Sequence, residues 1–226
     1  GAEGIGLCRM EHMFFNPPER VPVVQKVLVN APEAELWTQQ HINTPNHLGD
    51  LAQAPRSVRE FHQALDQLRT LQTDDFTAIL RTMGGKPVII RLLDAPLHEF
   101  LPRYDDLFRR VIELETKGAS EEEIKPHRDS LRQVELLREA NPMLGNRGCR
   151  LGLSFPAIYE MQMKAIITAA ANLVKEGIAV HPEIMIPLTV HVNEMRQMRQ
   201  RLVPVADKIQ NEMGTKVSYK FGTMIE

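Results

Sequence analysis

Five apolar runs punctuate the chain, at residues 4–9 (Gly-Ile-Gly-Leu-Cys-Arg), 87–94, 147–154, 183–188 and 217–226. Most are short and lack strict polar alternation, the pattern of strands covered on both faces. Between them lie longer segments whose apolar residues recur at spacings of three and four. Val58, Phe61, Leu65 and Leu68 form one such stripe, and Val192, Met195, Met198, Leu202, Val205 and Ile209 another. Each stripe lies on one face of a helix. Pro204 is expected to kink or divide the second of these helices. Pro156 belongs in the first turn of a further helix, which Gly177 ends. Ser120 with Glu123 reads as a capping box that opens a helix through Leu131, Val134 and Leu137, with Pro126 an irregularity inside it. Strands alternating with helices predict parallel βαβ units. No sequence repeat accompanies the alternation, which argues against a solenoid.

Residues 30–56 break this rhythm. They hold Pro32, Pro45, Gly49 and Pro55, and their apolar residues are scattered. We read 31–56 as an insertion or excursion containing a short helix over 33–40, with Trp37 in a local packing role.

Composition narrows the class without naming it. Hydrophobic residues make 43% of the 226 residues and charged residues 25%, ordinary for a globular protein. A chain of this size can bury roughly 70% of its unfolded surface, enough for a core without staples. A net charge of -2 offers no basic field for nucleic acid or an anionic membrane. Any bound phosphate must therefore be held by a few placed cations. Cys8 and Cys149 are too few and too far apart for a disulfide framework, so a reducing, cytoplasmic compartment is the default expectation. No apolar run approaches the ~18 residues of a membrane span. The eight histidines show no metal-ligand spacing, and no Walker or Rossmann glycine pattern occurs.

The candidate chemistry lies at the ends of the apolar runs, because βα folds place ligands at the C-terminal ends of parallel strands. Arg9 ends the first run. Arg91 and Asp94 stand at the end of the second. Arg147 and Arg150 flank the start of the third, and Glu226 ends the fifth. If these strands are neighbours, several guanidiniums and a carboxylate converge on one mouth. Guanidinium forks bond phosphate and carboxylate bidentately, and a lone carboxylate beside such an anion suits Mg2+. The alternative is that the arginines pair with Glu11, Asp94 or Glu160 and only hold the fold. His98, in the loop after the second run, is a candidate substrate contact, whereas His191 reads as an exposed residue opening a helix. Cys8 and Cys149 read as packed thiols.

These runs resemble, in order and over nearly the whole chain, the barrel strands of the phosphoenolpyruvate-utilising enzymes. The matching segments are Gly-Ala-Glu-Gly-Ile-Gly-Leu-Cys-Arg-Met-Glu-His-Met-Phe-Phe at 1–15, Val-Ile-Ile-Arg-Leu-Leu-Asp-Ala-Pro-Leu-His-Glu-Phe at 88–100, Asn-Pro-Met-Leu-Gly-Asn-Arg-Gly-Cys-Arg-Leu at 141–151, Glu-Ile-Met-Ile-Pro-Leu at 183–188 and Gly-Thr-Met-Ile-Glu at 222–226. Within the family, 93–101, 147–150 and 11–15 are most similar to the dikinase branch rather than the synthase or sugar-phosphotransferase branches. The resemblance implies an α/β fold of the (β/α)8 TIM-barrel type, incomplete over 1–226 and spanning about strands 2 to 6. It further implies a site for pyruvate or phosphoenolpyruvate and Mg2+. Arg9, Arg91 and Arg147 would contact phosphoryl or carboxylate groups, and Glu226 would bind both substrate and metal. A phosphohistidine domain of the parent chain would deliver the phosphoryl group. The full-length protein would interconvert pyruvate, ATP and phosphate with phosphoenolpyruvate, AMP and diphosphate, as a homodimer formed through the barrel.

Where the chain departs from the family pattern, the expectations change. Met10 stands where the family usually has Thr, and Asp-Ala-Pro at 94–96 where it has Asp-Pro-Pro. The family's second metal-binding aspartate and its proton-donating cysteine would both follow residue 226, so no catalytic residue is assigned within the chain. The opening without Met reads as an internal stretch. The isolated piece is expected to be inactive and to self-associate through open sheet edges or be poorly stable. The alternatives are a barrel of the phosphoenolpyruvate synthase or sugar-phosphotransferase Enzyme I type, or a non-catalytic oligomerisation module.

Overall fold

The computed structural model describes residues 2–43, 49–95, 101–137 and 144–225. Four of the five apolar runs contain a strand: β1 (Ile5–Arg9), β2 (Pro87–Arg91), β3 (His181–Ile186) and β4 (Lys220–Thr223). All pair in parallel, and their order across the sheet is their order along the chain. The fold is therefore α/β with one singly wound parallel sheet. Each neighbouring pair is joined through helices, as parallel pairing requires.

The helices are α1 (Glu11–Phe15), α2 (Val21–Gln40), α3 (Arg56–Met83), α4 (Tyr104–Thr116), α5 (Glu121–Leu137), α6 (Cys149–Ser154), α7 (Pro156–Lys175) and α8 (Val192–Met213), with a 3-10 turn at Pro18–Arg20. Helix α7 packs between α3 and α8, and α2 lies on α3. Helix α7 is apolar nearly all round and buried nearly all round, as that pattern demands. Its side chains join Val88 and Ile90 of β2 and Ile184 and Ile186 of β3 in one core. The register puts these strand residues on the same face of the sheet. The opposite face holds the row Ile89, Glu183 and Lys220, where Lys220 Nζ pairs with Glu183 Oε1 at 2.7 Å.

Four expectations are corrected. The run at 147–154 is not a strand: Cys149–Ser154 is helical. Gly148, at φ +57°, turns the chain, and the bonds Gly152 N–H to Gly148 O and Phe155 N–H to Leu151 O close locally at 3.1 and 2.8 Å. A short buried apolar run has no period that separates strand from helix. The expected short helix over 33–40 is the second half of the 20-residue α2, which runs through Pro32. Proline removes one helical hydrogen bond, but Ala31 and Ala34 beside it are buried, and the packing of α2 on α3 offsets the loss. Helix α8 likewise continues through Pro204 without division, and Val192, at its start, is exposed rather than part of the apolar stripe.

Other expectations hold. Ser120 and Glu123 exchange bonds as a capping box, and the helix they open contains Pro126. Pro156 opens α7 and Gly177, at φ +79°, follows its end. His191 is exposed and caps α8 by accepting from Asn193 N–H. Trp37 stacks on His41, one turn along, with ring centroids 4.0 Å apart. No described helix is long and apolar enough to cross a membrane.

Candidate functional site

One ladder row crosses all four strands at their C-terminal ends: Arg9, Arg91, Met185 and Gly222. Residues in one row share a face of the sheet, so Arg9 and Arg91 stand side by side on the face away from the helices. Like charges on directly opposed strand positions are destabilising, and the two arginines resolve this differently. Arg91 is 8% exposed and compensated. Its Nη2 donates to Glu11 Oε1 at 2.9 Å, and its Nη1 lies 3.1 Å from Asp94 Oδ2. Arg9 is exposed and makes no ion pair among the described residues.

Asp94, with its side chain 4% exposed, joins the second and third predicted segments. Its Oδ1 accepts from Arg147 Nε at 2.8 Å, and its carbonyl accepts from Arg147 Nη2 at 3.0 Å. Its own N–H donates to Glu11 Oε1 at 3.1 Å. Gly148 makes room for this contact. A Cβ there would lie 3.2 Å from Asp94 Oδ1 and 3.0 Å from Leu188 Cβ, at a φ that disfavours side chains. Among the described residues, Glu11 and Asp94 face the guanidiniums of Arg91 and Arg147, and Arg9 stands beside Arg91 in the same row.

Arg9 and Arg91 are therefore side by side at the ends of their strands, and Arg147, from the start of the third run, is tied to Arg91 through Asp94. The alternative pairing is also partly present: Arg91 and Arg147 do engage Glu11 and Asp94, while Glu160 pairs instead with Arg201 at 3.9 Å. Arg150 has no ion pair among the described residues, and its Nε is buried without a hydrogen-bond partner. Glu226 and His98 lie outside the described residues.

Met10 follows Arg9 but turns the other way. Its side chain is fully buried, and its sulfur accepts a weak bond from Gln162 Nε2 at 3.4 Å. The hydroxyl expected at this position would thus face the core rather than the open mouth. The two thiols are packed as expected. Burial, and secondarily Glu11, raises the Cys8 thiol above its ordinary range. Burial, then Glu194, pushes Cys149 up to about 11, partly offset by a Thr189 hydrogen bond and Arg150. Neither is an activated nucleophile.

Among the described residues no group of three or more His, Cys, Asp or Glu side chains is placed to hold a metal. Glu11 and Asp94 both face guanidiniums, so the described carboxylates do not form a cation site.

Sequence reading passed over Gln162 and Tyr159. Both are fully buried on α7 and bond the backbone of Leu93, just before Asp94. A visible signal was present in Gln162, a lone amide between Met161 and Met163 in an apolar helix.

A family model described as PEP-utilising enzyme, PEP-binding domain, matches residues 1–226. The chain is similar to pyruvate, phosphate dikinase of Entamoeba histolytica, 41% identical over 231 residues that cover 100% of this chain and 23% of that protein. It is 43% identical over 227 residues to the chloroplastic pyruvate, phosphate dikinase of Mesembryanthemum crystallinum, covering 100% of the chain and 20% of that protein. It is also 43% identical over 228 residues to pyruvate, phosphate dikinase 2 of Zea mays, covering 100% and 22%. The chain spans about a fifth of the length of the curated relatives it matches.

Proposed function

Because the chain belongs to the PEP-utilising enzyme family, matching its PEP-binding domain, we propose that it forms the pyruvate and phosphoenolpyruvate site of a pyruvate, phosphate dikinase. The observation that carries this reading is the in-register pair Arg9 and Arg91 at the C-terminal ends of adjacent parallel strands. Two neighbouring guanidiniums, one of them without a counter-ion among the described residues, suit a small dianion with a carboxylate at one end and an enolate or phosphoryl oxygen at the other.

In this reading the sheet is an arc of a (β/α)8 barrel. Chain-order parallel pairing supports it, because a singly wound sheet has no point at which strand order reverses. Residues 1–226 are then one partial barrel domain. The stretch 31–56, which contains the second half of α2, is an insertion after its first strand.

Arg9 and Arg91 bind the carboxylate and phosphoryl oxygens, and Arg147 adds a third cation from the next segment. As the enolate forms, charge grows on its oxygen, and prepositioned guanidiniums stabilise that charge more than the neutral ketone. The enolate oxygen attacks the phosphorus of a phosphohistidine presented by another domain of the parent chain. The P–N bond breaks as the O–P bond forms, and the electron pair stays on the imidazole. Arg9 suits the incoming phosphoryl group because it is exposed at the mouth. Glu226 would be one Mg2+ ligand, beside substrate oxygens and an aspartate from a following segment, a normal set for that ion. The ion would neutralise charge on the enolate. A homodimer through the barrel completes the reading.

Titration calorimetry of oxalate, an enolate-shaped dianion, into the intact protein with and without Mg2+ tests it. Mg2+-dependent binding that disappears in Arg91→Ala is expected. A folded protein that binds no oxalate under either condition overturns the substrate reading and leaves an oligomerisation module.

A further inference from the structure

The backbone of β2 leaves the sheet just after Arg91. Leu92 N–H still donates to Met185 O at 3.0 Å. At Leu93 the polar groups of the main chain are instead bonded from α7. Gln162 Oε1 accepts Leu93 N–H at 3.2 Å, and the Tyr159 hydroxyl donates to Leu93 O at 2.8 Å. Tyr159, Gln162 and Leu93 are fully buried, so no water substitutes for either bond. The two side chains are three positions apart and so share one face of the helix. Gln162 has a second contact: its Nε2 reaches Met10 Sδ at 3.4 Å.

The amide thus touches the residue after Arg9 and the residue before Asp94, each beyond the end of one of the adjacent strands that end in the arginine pair. We infer that Tyr159 and Gln162 are positioning residues for the anion site. They fix where Leu93 sits, Leu93 fixes Asp94, and Asp94 holds both Arg91 and Arg147. Without this grip the two guanidiniums keep their charge but lose their common geometry. Bidentate recognition depends on that geometry more than on charge.

This inference rests on the reading of the site given above. Its test is oxalate affinity in the intact protein with Mg2+, for Tyr159→Phe and Gln162→Met, two near-isosteric changes that delete the bonds and keep the volume. Ile167→Val is the control, since Ile167 is fully buried on the same helix and forms no bond to Leu93. Each protein is measured below its own melting temperature, checked by near-ultraviolet circular dichroism.

The expected result is oxalate binding weakened on the order of ten-fold in Tyr159→Phe and Gln162→Met, from the buried group left unpaired, with Ile167→Val unchanged in affinity although less thermostable. Equal affinity in the folded variants overturns the inference, and so does an equal loss in the control. Failure of both variants to fold also overturns it, because the pair would then serve the whole core. If the unaltered protein binds no oxalate, the site reading itself fails and takes this inference with it. If it binds and the variants bind equally well, only the positioning role is lost.

Discussion

Asp94 and Arg147, 53 positions apart, meet in a two-point contact, Nε to Oδ1 at 2.8 Å and Nη2 to the Asp94 carbonyl at 3.0 Å. The same carboxylate faces Arg91 at 3.1 Å. One nearly buried charge therefore serves two cations from different segments. Removing one partner of a buried pair leaves the others uncompensated, which costs about 3–5 kcal/mol. We expect Asp94→Asn to lower unfolding free energy by about 3 kcal/mol in denaturant titration, and to weaken oxalate binding as Arg91 and Arg147 separate. A variant as stable as the parent would mean that Glu11 alone balances Arg91.

Gly148 sits between these partners. Its φ of +57° disfavours any side chain, and an added Cβ would press on Leu188 Cβ at 3.0 Å and Asp94 Oδ1 at 3.2 Å. Gly148→Ala is expected to cost about 1–3 kcal/mol for the backbone alone, because φ +57° with ψ −132° is sparsely open to residues with a side chain, with a further loss of oxalate affinity from displacement of Asp94. Differential scanning calorimetry reads the first effect and titration the second. Loss of stability without loss of affinity would separate the turn from the site.

What was legible in the sequence follows from which interactions are local. Four apolar runs became strands because a short apolar stretch between turn residues is enough for a parallel strand packed on one face, although no residue of β1 or β4 is fully buried. Arg9 and Arg91 were visible because each interrupts such a stretch at its far end. The run around Cys149 misled because a short buried helix and a short buried strand have the same composition. Helix α2 was cut short because Pro32 is a strong local signal, while the packing that overrides it comes from α3. The bonds from Tyr159 and Gln162 to Leu93 were illegible for a further reason. They satisfy backbone groups whose need arises only where β2 leaves the sheet, and no local pattern announces that point.

The buried thiol at Cys149 makes stability depend on alkaline pH. Its folded value is pushed up to about 11 from an ordinary 9.0, chiefly by burial. Above pH 9 the unfolded chain releases this proton while the folded chain keeps it, so the unfolded state binds fewer protons and stability falls as pH rises. The loss approaches about 1.4 kcal/mol per pH unit between 9 and 11 and levels off above. Tyr159, raised well above 10 by burial, adds a loss in the same direction above pH 10. Melting temperature against pH should fall over this range, and Cys149→Ala should reduce the part that begins near pH 9, leaving the share of Cys8, which is raised in the same direction. An identical profile in that variant would assign the alkaline loss to other groups.

Arg9 and Arg91 share a ladder row and differ in what surrounds them, so their substitutions should separate binding from stability. Arg91 is nearly buried between Glu11 and Asp94. Arg91→Ala leaves Glu11 without its cation and Asp94 with Arg147 alone, and is expected to lose about 3 kcal/mol of stability together with oxalate binding. Arg9 is exposed and makes no ion pair among the described residues, so Arg9→Ala should change stability by no more than about 0.5 kcal/mol. Its removal also relieves like-charge repulsion across the row, which favours folding slightly. If Arg9 serves the anion, oxalate affinity should nevertheless drop at least ten-fold, and Arg9→Lys, which keeps the charge but not the fork, should recover only part of it. Chemical denaturation and calorimetry on the two alanine variants read both quantities. Full recovery by lysine would mean that Arg9 acts as a point charge. An Arg9→Ala protein that binds oxalate normally would remove this residue from the site and leave Arg91 and Arg147 to hold the anion.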